Sequence, residues 1–137
     1  LLYQEPLHGP ARSEFFGNAM AVLMPTRYVE PFGGVTVEAE LCGTPVIGSS
    51  YGSFTETIKH GSTGFNCRTL GDYLAAIERI EDGYISRQHV RTFAVERYDM
   101  YKLAKDYDNV FQQINDIKNS SGWYSYRSNI GQVTRAI

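Results

Sequence analysis

Two carboxylates, Glu30 and Glu38, stand with seven residues between them in the run Glu30-Pro-Phe-Gly-Gly-Val-Thr-Val-Glu38. A glycine pair, Gly33-Gly34, lies inside that interval and opens an amphipathic stretch from Val35 to Leu41. Amide groups at a helix start have no intrahelical partner and face the positive end of the helix dipole, so they suit a phosphate. A carboxylate on each side of such a cradle can accept hydrogen bonds from hydroxyl groups. Phosphate flanked by hydroxyls is the chemistry of a sugar nucleotide.

Other chemistries find little support. His8, His60 and His89 are scattered without metal-ligand spacing, and Cys42 and Cys67 form no Cys-x-x-Cys. The order of the residues proposes no Ser-His-Asp set. No metal is called for, and no cofactor beyond the nucleotide sugar as substrate. A net charge of −2 gives no electrostatic reason to expect nucleic acid as a partner. The two cysteines read as a reduced pair rather than a disulfide framework, which points to the cytoplasm. No apolar run approaches the roughly 20 residues that span a bilayer. Arg12, Arg27 and Lys59 read as surface charges.

The elements that must position these residues follow from the pattern. Leu1 to Tyr3 reads as the end of a strand and Glu5 to Pro10 as a loop. Ala11 to Ala19 reads as a short helix, and Met20 to Met24 as a buried strand stopped by Pro25. Gly34 to Leu41 reads as a helix closed by Gly43, and Pro45 to Gly48 as the next strand. Ser53 with Glu56 suggests a capping box opening a helix to about His60. Gly64 to Cys67 reads as an edge strand. Helices follow over Leu70 to Glu81, from Ser86 to Arg97, and after Asp99, where Leu103, Ala104, Tyr107, Val110, Phe111 and Ile114 repeat at helical spacing. On helical spacing Glu38 shares the flank of Val35, Leu41 and Cys42. The alternation predicts an α/β fold, a Rossmann-like parallel sheet with helices on both faces. With 137 residues and only three or four strands, the chain reads as part of a longer protein. Residues 1–117 read as the C-terminal part of one domain, and 118–137 as an extended C-terminal tail with Trp123, Tyr124 and Tyr126 as anchors.

Taken in order, Ala19 to Thr26, Glu30 to Ala39, Cys42-Gly-Thr-Pro-Val-Ile47, Tyr51 to Glu56 and Gly61-Ser-Thr-Gly-Phe65 resemble the C-terminal nucleotide-binding domain of retaining GT-B glycosyltransferases of the family 4-like, group 1 kind. The resemblance runs over roughly residues 7 to 115 and implies a two-lobe enzyme transferring a hexose, with retention, from a nucleoside-diphosphate sugar, UDP- or GDP-linked, to an acceptor hydroxyl. It implies that Glu30 stands by the donor sugar as the catalytic carboxylate and that Glu38 holds the ribose. It assigns the amides of Phe32, Gly33, Gly34, Val35 and Thr36 to sugar and diphosphate, and a place beside the base to Leu7. Relatives carry a larger apolar residue where Gly34 stands, which alters the wall beside the sugar. The partners implied are the donor, a glycan, lipid or small-molecule acceptor, and an N-terminal lobe without which this segment is inactive. The implied location is cytoplasmic, with the inner face of a membrane as a docking place for the whole protein. The rival readings are a phosphorylase or epimerase of related fold, and a binding module without chemistry.

Overall fold

A computed structural model describes residues 5–120. Three short parallel strands, β1 (Val22–Met24), β2 (Val46–Ser49) and β3 (Gly64–Cys67), form a sheet in the order β1-β2-β3. Val22 pairs with Val46 and Val46 with Gly64, so the strands run in step and their carboxyl ends lie along one edge. The free side of β1 has no strand partner among the described residues. The helices are α1 (Gly9–Asn18), α2 (Gly34–Leu41), α3 (Phe54–Thr57), α4 (Leu70–Glu81), α5 (Arg87–Tyr98) and α6 (Met100–Asn119).

Side chains alternate across the strands and build two cores. On one face Val46 joins Phe16, Ala39, Phe54 and Ile58 from α1, α2, α3 and the residue after it, flanked by Val22 and Met24. On the other face Ile47 joins Phe65, Cys67, Ala76, Ile85 and Val90, beneath α4 and α5. This period of two across a strand buried on both faces is what a parallel sheet between helical layers requires. The Rossmann-like α/β expectation is met, with helices on both faces of the sheet.

Local chemistry sets the boundaries. α1 starts earlier than Ala11, because Pro10 takes the first-turn position where its missing N–H costs nothing. Gly43, at φ 75°, ends α2 and donates its amide to the Glu40 carbonyl, as a C-terminal glycine should. The capping box expected at Ser53 does not form. Ser53 has helical φ and ψ and makes no cap bond, its amide donates to the Glu30 carbonyl instead, and α3 stops at Thr57 because Ile58 turns extended into the core. A capping box forms at α4, where Thr69 accepts from the Asp72 amide and Asp72 accepts from the Thr69 amide. Ser86 accepts from the His89 amide before α5.

The described residues divide into two compact units, one up to Arg97 and one from Tyr98 on. In the second, Asp99 caps α6 through the Lys102 amide at 2.8 Å, and α6 carries Tyr107 and Phe111 as a tilted ring pair 6.1 Å apart. The strand expected at Leu1 to Tyr3 and the aromatic tail at 121–137 lie outside the described residues.

Candidate nucleotide-sugar site

The loop between β1 and α2 leaves the carboxyl edge of the sheet, where ligands of open α/β sheets bind. Its shape is fixed from below. The Ser49 hydroxyl at the end of β2 donates to the Thr26 carbonyl at 2.8 Å, and the Tyr51 hydroxyl donates to the same carbonyl. The Ser53 amide donates to the Glu30 carbonyl at 2.9 Å, which sews this loop to the one after β2.

Glu30 sits at the centre of the loop. Its carboxylate accepts the Tyr28 hydroxyl and, at 3.0 Å, the Gly33 amide. The Tyr28 bond is the largest influence and holds its carboxyl below the usual carboxylate range; desolvation opposes it, and the amides of Gly33 and Phe32 add smaller pulls downward. Glu30 is therefore an ionised acceptor at neutral pH rather than a proton donor. Gly33 is the N-cap of α2 at φ 76°, and a Cβ there would lie 3.1 Å from the Phe54 ring, so both the backbone and the core favour glycine.

The five candidate amides divide. Those of Phe32 and Gly33 serve the Glu30 carboxylate. The Thr36 amide donates to the Gly33 carbonyl at 2.9 Å, while the Thr36 hydroxyl is buried without a partner among the described residues. The amides of Gly34 and Val35 have no acceptor among the described residues, and both residues are exposed. A Cβ on Gly34 would meet nothing within 4 Å, so the wall there is open.

Glu38 lies one turn after Gly34 on the same flank of α2, a rise of about 6 Å. It is half-buried, and Oε1 meets Arg12 Nη2 at 3.0 Å. Both side chains line a cleft of about 400 Å³ between α1 and α2, with Gly9, Pro10, Ser13, Phe16, Leu41 and Cys42. Arg12, expected as a free surface charge, is thus the ionic partner of Glu38. Leu7 is placed elsewhere, in a separate depression with Ala11, Phe15 and Ala19. The flank that Glu38 shares with Val35, Leu41 and Cys42 is the less buried side of the helix, with Val35 41% accessible and Leu41 and Cys42 partly buried.

The buried side of α2 holds Thr36, Val37, Ala39 and Glu40. Glu40, which the sequence pattern did not single out, is wholly inaccessible. Thr63 donates its hydroxyl to Glu40 Oε1 at 2.7 Å, and Oε2 has no hydrogen-bond partner among the described residues. Burial pushes this carboxyl up to about 7, with the Thr63 bond and the Arg97 charge pulling the other way. Two arginines of α5 were also missed. Arg87 donates to the Gly17 and Ala19 carbonyls at 2.7 and 2.6 Å, and Arg91 donates to the Leu41 carbonyl. Cations at the ends of α1 and α2 satisfy carbonyls that helices leave open, and they hold the two walls of the cleft. Only long sequence separation hid them.

Cys67 is buried, and that burial, with the Asp72 charge, pushes its thiol up to about 11, so it is no nucleophile. No group of three His, Cys, Asp or Glu side chains among the described residues is placed to hold a metal. No helix among them is long and apolar enough to cross a membrane.

The layers, the free amides at the carboxyl edge and the neighbouring carboxylate define a Rossmann-like domain of the GT-B type. Residues 8–97 match the glycosyl transferases group 1 family, and the chain belongs to that family. It is 33% identical over 91 residues to N-acetyl-alpha-D-glucosaminyl L-malate synthase of Bacillus anthracis, covering 62% of this chain and 24% of that one. It is 29% identical over 101 residues to D-inositol 3-phosphate glycosyltransferase of Paenarthrobacter aurescens, covering 72% and 24%. Among solved structures it resembles Anabaena HepE in complex with UDP, with a TM-score of 0.65 and 27% identity over 73% of this chain and 29% of the other. The chain spans about a quarter of the length of the curated relatives it matches, 24% in both cases.

Proposed function

We propose that this chain supplies the donor-binding half of a retaining glycosyltransferase that moves a hexose from a nucleoside-diphosphate sugar to an acceptor hydroxyl. The observation that carries the reading is the pairing, on one flank of α2, of two amides at Gly34 and Val35 that have no acceptor among the described residues with the Glu38 carboxylate one turn later in a cleft. The amides meet the diphosphate, where the helix dipole favours negative charge, and Glu38 accepts the ribose hydroxyls. As the leaving group departs, the same amides stabilise its growing charge. Glu30, ionised, presents lone pairs left over from Tyr28 and Gly33 to hydroxyls of the sugar. The backbone at Phe32 and Gly33 supports Glu30, and Thr36 closes the first turn. HepE is described in complex with UDP-glucose, which supports a UDP-linked donor here.

Thermal-shift screening of the intact protein with UDP-, GDP- and ADP-sugars identifies the donor by its stabilisation. Product analysis by NMR then reads the anomeric centre: an α-linked donor gives an α-linked product. An inverted product, a phosphorolysed sugar or an epimerised sugar would each replace the reading. The 137-residue chain by itself shows no turnover on this account.

A further inference from the structure

The ion pair between Arg12 and Glu38 joins two helices across the mouth of a cleft, where a salt bridge between partly exposed side chains adds little to folding. Its geometry matters more than its stability. Glu38 is a flexible side chain, and Arg12 Nη2 fixes one of its oxygens at 3.0 Å while Oε2 takes no hydrogen bond among the described residues. An ionised carboxylate has about four acceptor sites, so one bond from Arg12 leaves the others for hydroxyl groups. A carboxylate held in place before the ligand arrives avoids the ordering cost that a free one incurs on binding.

We propose that Arg12 is a positioning residue of the nucleoside subsite, which holds the Glu38 carboxylate toward the cleft and thereby sets the preference for a ribose over a 2′-deoxyribose. The proposal rests on the reading of Glu38 as the ribose holder. The charge alone is not enough: a lysine offers a point charge on a flexible stem, where the guanidinium offers a planar fork.

Calorimetry on the intact protein tests it with UDP, GDP and ADP, each against its 2′-deoxy counterpart, using the base that binds most tightly. Arg12→Met is expected to weaken the ribonucleotide about tenfold while the deoxynucleotide changes less than about twofold, so that discrimination collapses. Arg12→Lys recovers part of it. Thermal unfolding establishes that the variants fold. Discrimination kept in Arg12→Met, or a ribonucleotide that binds more tightly when Arg12 is gone, overturns the proposal. Glu38→Gln separates the two levels. If it abolishes discrimination while Arg12→Met does not, only the role of Arg12 falls. If Glu38→Gln also leaves discrimination intact, or if none of the three nucleotides binds, the ribose reading falls and takes Arg12 with it.

Discussion

Glu38 and Glu40 are two residues apart on α2, about 200° around the helix, and they meet opposite fates. Glu38 faces a cleft, half-buried, with an arginine on one oxygen and no hydrogen bond on the other among the described residues. Glu40 faces the interior, wholly inaccessible, with one threonine hydroxyl and a raised pKa. The same side chain faces a cleft on one flank and is a buried acid on the other. What separates them is solvent and partner, not residue type. On the proposed reading a single helix carries a recognition flank and an anchoring flank, and changes on the two flanks should be separable in experiment.

The largest expected effect lies under both flanks. Phe54 is fully buried and packs against the Gly33 backbone at the start of α2. Phe54→Ala is expected to cost about 3–5 kcal/mol of stability by denaturant titration. Donor affinity should fall with it, because the loop that offers the amides loses its floor. A variant that loses stability but keeps full affinity would show that the recognition flank does not depend on this packing.

The anchoring flank can be read by pH. The Glu40 carboxyl is raised from 4.5 to about 7 in the fold, so the folded state favours the protonated form. Its stabilising contribution is complete below about 4.5, shrinks between 4.5 and 7, and is gone above 7. Stability should therefore fall as pH rises through that window, by on the order of 3 kcal/mol. Glu40→Met should flatten the slope and raise stability at pH 8. An equal slope in that variant would assign the pH dependence to other groups. Thr63→Val should lower stability by about 1–3 kcal/mol, because it removes the one hydrogen bond that Glu40 has among the described residues.

The smallest effect belongs outside both flanks. Thr69→Ala removes the cap of α4 and should cost about 1 kcal/mol without changing donor affinity. A change in affinity there would mean that the recognition flank extends further than α1, α2 and their loops.

Of the two flanks, the backbone frame of the cleft side was the legible one. Glu30, the glycine pair and Glu38 stand close in sequence, the helix between them begins at a residue with special backbone needs, and the strands are short apolar runs. The anchoring flank was not legible. Periodicity treats Glu40 as one more charged residue on an amphipathic helix, and its burial depends on Thr63, which comes from a loop 23 residues away. The same limit applies to Arg12, Arg87 and Arg91, whose partners are set by packing between helices. Ser53 misled for a related reason. Its side chain and the Glu three positions on have the composition of a cap, but its amide was already committed to Glu30. In the first turn of α2 the resemblance assigned five amides, and the fold leaves those of Gly34 and Val35 without an acceptor among the described residues.

The central claim is that the cleft flank of α2 holds the nucleoside through Glu38. Calorimetry of the donor nucleotide with the intact protein and its Glu38→Ala variant, at constant pH and salt, tests it most directly. The account predicts a loss of affinity of about tenfold or more with unfolding stability nearly unchanged. An affinity equal to that of the parent protein would contradict it.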